Sequence, residues 1–167
     1  MLMDREQILV VDIEATCWKR NRAPAGQQSE IIEVGICSFA PATGAITDKQ
    51  SLIVRPTRSQ VSAFCTELTT LTQAQVDAGM AFADACALVQ RDYHSSGRLW
   101  ASWGSYDHTM FVRQCEAEGV AYPFGDHHLD IRRLWKTLHH GKTMGFQRAM
   151  AAAQLEMVGT LHRGDDD

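Results

Sequence analysis

The sequence predicts an α/β protein in which helices cover the faces of a layered sheet. Three strand-like segments follow one another closely between residues 8 and 54, as in an antiparallel meander. Helical and strand patterns then alternate along the rest of the chain. The length of 167 residues is that of one domain, so we expect a single domain over residues 1–167.

Each of the first three strands is indicated by its own pattern. Residues 8–11 form a continuous apolar run, which is typical of a strand buried on both faces. The second strand has apolar residues at every other position, as in a half-buried strand. These residues are Ile32, Val34 and Ile36. A turn at residues 41–44 leads to a third strand around residues 52–54.

Four helices are predicted from apolar residues that recur on one helical face. Their apolar faces contain Phe82, Cys86, Val89 and Tyr93; Met110, Phe111 and Cys115; Ile131, Leu134, Trp135 and Leu138; and Phe146, Met150, Ala153 and Met157. A fourth strand is expected over residues 99–103, between the first two helices. Asp107 begins the second helix, where a short acidic side chain is a favourable cap.

The composition is that of a soluble protein, with 45% hydrophobic and 22% charged residues. No apolar run has the length of a membrane span, and the polar start shows no signal peptide. The five cysteines lack C-x-x-C spacing, which favours free thiols and a cytoplasmic protein. A net charge of −4 counts against nucleic-acid binding by bulk electrostatics, unless cations bind at an acidic site.

Two acidic residues follow the first strand-like run. Asp12 and Glu14 lie two residues apart, so their side chains point to the same side of the strand. A bound Mg²⁺ or Mn²⁺ would offset the repulsion between two such carboxylates. The alternative is an exposed pair of acids at a strand end. Asp107, at the next junction of strand and helix, is a candidate third ligand, although a helix cap explains it as well.

The end of the sequence holds the last candidate group. His162 is followed five residues later by Asp167, after two other acids. A solvated acidic tail is the simpler explanation, but its combination with acids at two strand ends favours a site. Asp166 is an alternative to Asp167. The other histidines are interpreted as surface or packing residues.

Together these segments resemble the D-x-E, D and H-x₄-D motifs of the DEDDh-type 3′→5′ exonucleases. The segments are Asp12-Ile13-Glu14-Ala15-Thr16-Cys17, Trp103-Gly104-Ser105-Tyr106-Asp107, and His162 with Asp167. Further resemblance, to the Eri-type branch that trims histone-message and small-RNA 3′ ends, lies in Glu30-Ile31-Ile32-Glu33, Val54-Arg55-Pro56 and residues 64–76. The similarity covers residues 8–167.

The resemblance implies an RNase H-like fold with a mixed five-stranded sheet flanked by helices. It implies that Asp12, Glu14, Asp107 and Asp167 bind two divalent cations, Mg²⁺ or Mn²⁺, and that His162 is the general base. It also implies substrate contacts from Ala15, Thr16 and Leu71, to which Trp18 and Tyr106 are added as candidate stacking residues. Lys19, Arg20 and Arg22 could contact the phosphate backbone, or could be a solvated loop.

Two departures from the family pattern accompany this resemblance. Thr70 stands where the family often has Gly, and Asp165 stands where an apolar residue is common. We also expect the single exonuclease domain of residues 1–167 to lack the final helix of the family.

The expected reaction is removal of nucleoside 5′-monophosphates from the 3′ end of single-stranded RNA or DNA. RNA is favoured by the Eri-type similarity, and no membrane is involved. Two alternatives remain: a DNA exonuclease of the polymerase-proofreading type, and a nucleic-acid-binding or regulatory protein that keeps the fold but has weak activity.

Overall fold

The computed structural model describes residues 7–141 and 143–156. Its strands are β1 (Ile8–Ala15), β2 (Ile31–Ala40), β3 (Ala45–Ile53), β4 (Trp100–Ser102) and β5 (His128–Asp130). Its α-helices are α1 (Ala63–Thr69), α2 (Gln73–Asp77), α3 (Phe82–Tyr93), α4 (Tyr106–Glu118), α5 (Ile131–Leu138) and α6 (Phe146–Ala152).

The five strands form one mixed sheet in the order β3-β2-β1-β4-β5. The pairs β1–β2 and β2–β3 are antiparallel, while β1–β4 and β4–β5 are parallel. The predicted meander and the mixed five-stranded sheet are therefore confirmed. Since β1, β4 and β5 run in the same direction, their carboxyl ends meet at one edge of the sheet.

Apolar side chains cover both faces of the sheet. Leu9, Val11 and Ile13 of β1 are buried in the main core, together with apolar residues of α3 and α4. A smaller core on α1 and α2 contains Ile32, Cys65, Leu71 and Val76. Alternate residues of β1 therefore point away from the main core, and these include Asp12 and Glu14.

The second strand differs from the simple alternation that its sequence predicts. The pairing with β1 shifts where Glu14 lies opposite Glu33 and Ala15 lies opposite Ile31, so Ile32 is an extra residue at a β-bulge. Ile32 consequently packs in the smaller core, whereas Val34 packs in the main core. The first six residues of β2 are buried.

Two of the predicted helices need correction. In α5 the apolar face is only partly covered, because Leu134 and Leu138 are 41% and 66% exposed. The last helix ends at Ala152, and Ala153 follows it as the C-cap. Met157, which the periodicity assigns to that helix, lies outside the described residues.

None of the helices in the described part of the chain is long and apolar enough to cross a membrane. The five cysteines carry free thiols, of which Cys17 and Cys37 are half-buried and the others are buried.

Candidate functional site

The first two acidic residues lie near the carboxyl end of β1, on the face opposite the main core. Glu14 is 9% exposed, while Asp12 is half-buried. Across the antiparallel pair, Glu14 lies directly opposite Glu33, whose buried carboxylate accepts a hydrogen bond of 2.5 Å from the hydroxyl of Ser51. The β1 end of the sheet is therefore rich in negative charge.

Asp107 brings a further carboxylate to this end of β1. Its Oδ1 accepts a hydrogen bond of 3.1 Å from the backbone N–H of Ile13, the residue between Asp12 and Glu14. The bond arises because β4 ends at Ser102 while its parallel neighbour β1 continues to Ala15. The carboxylate satisfies an N–H that no longer has a strand partner.

The structure corrects the predicted position of Asp107 in its helix. Ser105 is the N-cap of α4, and Asp107 lies in the first helical turn. A negative charge is still favourable there, because the N–H groups of a first turn are unpaired. The carboxylate is thus held between a helix start and a strand end.

Burial raises the pKa of the Asp107 carboxyl, which is 4% exposed. Hydrogen bonds from its own backbone, from Ile13 and from the side chain of Ser102 act in the opposite direction without outweighing burial. The ionised form is therefore destabilised in the metal-free protein. A bound cation would compensate for this charge.

The three carboxylates fit a hard divalent cation by their chemistry, since all their donors are oxygen atoms. Within residues 7–141 and 143–156, however, no three His, Cys, Asp or Glu side chains form an arrangement that could hold a metal ion. The remaining predicted site residues, His162, Asp167 and the alternative Asp166, lie outside the described residues.

Behind Asp107, Ser102 and His128 form a partly buried polar contact that was not predicted from the sequence. The Ser102 hydroxyl lies 2.9 Å from Nε2 of His128 and 3.0 Å from the carbonyl oxygen of Gly104. Burial and the nearby His108 lower the pKa of His128, which favours the neutral ring. His128 was interpreted as a surface or packing residue, and no sequence signal links it to Ser102.

The predicted substrate residues around the end of β1 are largely buried. The Thr16 hydroxyl lies 2.9 Å from that of Ser59 and accepts a hydrogen bond of 2.9 Å from the N–H of Glu30. Ala15 is 6% exposed, and its carbonyl accepts a contact from the Cys65 thiol at 3.6 Å. Both residues are therefore engaged in contacts within the fold in this conformation.

The candidate base-contacting residues differ in accessibility. Leu71 is fully buried in the smaller core, and Trp18 is half-buried. Tyr106 is 56% exposed; partial burial of its phenol and then the charges of Asp107 and Glu14 raise its pKa. Among these three residues, Tyr106 thus offers an exposed ring beside the acids.

Known proteins share the sequence pattern and the fold of this chain. The sequence pattern of the exonuclease family RNase T matches residues 9–167. The chain is 25% identical over 96% of its length to the 3′-5′ exonuclease Snipper of Drosophila melanogaster, and 30% identical over 97% to 3′-5′ exoribonuclease 1 of Rattus norvegicus. It spans 64% and 50% of the lengths of these relatives.

Solved structures with the same fold include two 3′-exonucleases. The nuclease domain of 3′hExo, a DEDDh family member bound to rAMP, superposes with a TM-score of 0.82 at 26% identity, over 97% of this chain and 86% of that one. A full-length 3′-exonuclease superposes with a TM-score of 0.86 at 27% identity, over 97% of this chain and 76% of that one. The predicted RNase H-like fold is confirmed. The chain therefore belongs to the exonuclease family, and its resemblance to the DEDDh-type, Eri-branch members is confirmed.

Proposed function

We propose that the chain is a 3′→5′ exonuclease that hydrolyses the terminal phosphodiester bond of a single strand and releases nucleoside 5′-monophosphates. The observation that carries the proposal is the hydrogen bond from the N–H of Ile13 to Asp107. It places a buried carboxylate beside the residue that separates Asp12 from Glu14. In a chain of the exonuclease family, this edge of acids is the natural position for the scissile phosphate.

RNA is the favoured substrate. The rat and mouse relatives at 30% identity are named exoribonucleases, and one similar structure shows recognition of the 3′ end of a histone mRNA stem-loop by a 3′-exonuclease. Single-stranded DNA has the same phosphodiester linkage, so the relative rates on RNA and DNA remain to be measured.

DEDDh exonucleases normally need divalent metal ions. In this chain Asp12, Glu14, Asp107 and Asp167 would hold two of them, Mg²⁺ or Mn²⁺. Bound there, the cations would lower the pKa of an attacking water and stabilise the leaving 3′-oxygen. The protein contributes fixed carboxylates, and the bond from Ile13 restricts Asp107 to one orientation.

His162 would accept the proton of the attacking water, since imidazole has a pKa near neutrality. The His162→Ala variant is then expected to lose most activity while it keeps its fold and its affinity for metal. Unchanged turnover would exclude His162 as the base. The Asp166→Ala and Asp167→Ala variants would show which of the two acids serves as the last ligand.

Tyr106 is our candidate for stacking on the terminal base, because its ring is exposed beside Glu14 and Asp107. Trp18, half-buried at the start of the loop after β1, is a second candidate. Ala15, Thr16 and Leu71 would form the wall behind the terminal nucleotide.

The reaction is tested with 5′-labelled single-stranded RNA and matched DNA, each incubated with Mg²⁺, Mn²⁺ or EDTA. We expect a metal-dependent ladder that shortens from the 3′ end and disappears in the Asp12→Ala variant. Glu116→Ala is a suitable control, because this exposed acid lies toward the other end of α4. Equal activity of the Asp12→Ala variant and wild type would contradict the assignment.

A second candidate function is nucleic-acid binding without efficient turnover. Binding of the labelled strand without monophosphate release, at every metal concentration tried, would support this binding role over the exonuclease.

A further inference from the structure

Helix α5 starts at the same edge of the sheet as the acidic residues. It follows β5 directly, and the last residue of β5, Asp130, lies opposite Ser102 at the end of β4. The side chain of Arg132 passes the loop that leads to Asp107: its Cδ lies 3.9 Å from the position that a Cβ on Gly104 would occupy. The first turn of α5 is therefore next to the candidate active site.

Aromatic packing fixes α5 against this loop. The ring of Trp135, in the middle of the helix, lies 6.4 Å from that of Trp103, centroid to centroid. Trp103 also contacts Phe146 of α6 edge-on at 5.7 Å. At the helix start, the Asp130 carboxylate accepts a hydrogen bond of 2.8 Å from the N–H of Arg133. The orientation of α5 relative to the acids is thus set by contacts between half-buried aromatic rings and by a helix cap.

The sequence concentrates positive charge in this region. Residues 131–155 include Arg132, Arg133, Lys136, Lys142 and Arg148 and contain no Asp or Glu. The rest of the chain has 11 Lys and Arg against 20 Asp and Glu. A chain of net charge −4 thus carries a long basic segment without acidic residues, and that segment begins beside the acidic site.

The basic side chains of α5 share one side of the helix. These residues are Arg132, Arg133 and Lys136, and all are exposed. Their spacing places them together on a helical surface, whereas Ile131 and Trp135 point toward the protein. We name this surface, defined by those three residues, the basic face of α5.

We propose that the basic face of α5 binds the phosphates of the substrate strand a few nucleotides upstream of its 3′ end. This inference rests on the proposed exonuclease function. The charge of the face complements a polyanion, and its position next to Gly104 suits a strand whose terminal phosphate lies at the acids. Such contacts would hold long substrates without taking part in the cleavage of a dinucleotide.

The test uses the double variant Arg133→Ala/Lys136→Ala, which leaves Arg132 beside Gly104. Its control is Lys49→Ala/Arg91→Ala, which removes the same charge from exposed positions on β3 and α3. Binding of a labelled single strand of about 12 nucleotides is measured by fluorescence anisotropy in EDTA over a range of salt concentrations. Cleavage of a dinucleotide is measured in parallel.

We expect the α5 double variant to bind the long strand about tenfold more weakly. The slope of the logarithm of the binding constant against the logarithm of the salt concentration should be shallower by about 1.4, or about 0.7 for each lost phosphate contact. Dinucleotide cleavage should stay within about twofold of wild type, and the control should match wild type in both assays. Equal weakening in the two double variants, or no weakening in either, would overturn the proposal.

The outcomes also distinguish failure of this proposal from failure of the proposed exonuclease function. Normal cleavage with unaltered binding in the α5 variant removes only the role of the basic face. A wild-type protein that neither binds nor shortens any strand removes both proposals. The α5 double variant is also tested for binding to anionic phospholipid vesicles. If it loses vesicle binding but keeps strand binding, the basic face binds a membrane surface, and the inference is overturned.

Discussion

Among single residues, Asp107 has a hydrogen bond and a buried charge that act on stability in opposite directions. Its carboxylate satisfies the N–H of Ile13 at the end of β1, yet its own burial raises its pKa and destabilises the ionised form. An amide oxygen could accept the same hydrogen bond without carrying a charge. The negative charge therefore has a cost in the metal-free protein, which points to a use beyond the fold.

The Asp107→Asn variant tests this conflict. We expect it to lose at least about 100-fold in exonuclease activity, since the amide is a poor ligand for a hard cation. In EDTA at neutral pH its free energy of unfolding should be about 1 kcal/mol higher than that of wild type. The variant is more stable because its amide mimics the protonated carboxyl that burial favours. Activity assays and denaturant unfolding measure the two effects. A less stable variant would show that the charge itself supports the fold.

How far these residues could be predicted depends on the distance between partners in sequence. Asp12 and Glu14 are recognisable because they lie two residues apart at the end of an apolar run. The contact between Ser102 and His128 joins side chains on neighbouring strands, and only the sheet brings them together. Periodicity along the chain carries no information about such a pair.

At the scale of elements, the end of α1 explains one departure from the family pattern. Thr70, which stands where relatives often have Gly, is the C-cap of α1 and has a left-handed backbone with φ of 64°. A β-branched residue is strained in this region, whereas Gly adopts it freely. The left-handed backbone therefore explains why Gly would be favoured over Thr at this position.

We expect the Thr70→Gly variant to be more stable by about 1 kcal/mol, which corresponds to a rise in Tm of about 2–4 °C. Glu67→Gly, inside the same helix, should lower the stability by about 1 kcal/mol and serves as the control. Thermal unfolding measures both variants. A large change in KM together with unchanged stability would instead indicate a steric role in the nucleotide pocket.

A buried carboxylate ties the start of β2 to the loop that follows β3. Glu30 is fully buried and accepts hydrogen bonds from the N–H groups of Thr57 and Arg58 and from the hydroxyls of Thr57 and Ser59, at 2.6–3.1 Å. Burial opposes ionisation, but these hydrogen bonds outweigh it and lower the pKa of Glu30 below its ordinary value of 4.5. The same loop reaches Thr16 through Ser59, so Glu30 also supports the segment that directly follows β1.

The Glu30→Gln variant should be less stable by about 2–3 kcal/mol at neutral pH, because an amide cannot accept all four hydrogen bonds. A lowered pKa in the folded state gives stability that is present above pH 4.5 and is lost as the pH falls through the folded value. The difference between variant and wild type should therefore shrink below pH 4.5. Denaturant unfolding at several pH values measures this, with exposed Glu67→Gln as the control. A difference that does not depend on pH would show that the charge of Glu30 is not responsible.

Elements were predictable where the pattern was long and one-sided. Helices α3 and α4 show clear periodicity, whereas the three residues of β5 are too few for a pattern. The exposed half of β3 is largely polar because this strand lies at the sheet edge, so it also lacks an apolar pattern. The partial exposure of α5 could not be predicted either. Its apolar stripe indicates which side faces inward, not whether another element covers it.

Across the whole molecule, charge is distributed unevenly in a way that suits a metal-dependent nuclease. Negative charge converges on the carboxyl end of β1, while the acid-free segment 131–155 starts at the same edge. Bound cations would neutralise the first region and leave the second free to attract a polyanion. The net charge of −4 is thus compatible with nucleic-acid binding, because local fields decide where a strand approaches.

If the acids form a site that exists only in the folded chain, divalent cations must stabilise the whole molecule. At a metal concentration about 100 times the dissociation constant, the gain is about 2.7 kcal/mol, which corresponds to a rise in Tm of about 5–10 °C. We expect Mn²⁺ or Mg²⁺ to raise the Tm measured in EDTA, Asp12→Ala to remove most of the rise, and Glu116→Ala to retain it. A shift of equal size in the Asp12→Ala variant would locate the stabilising ion elsewhere, because a ligand raises Tm only through the residues that bind it in the native state.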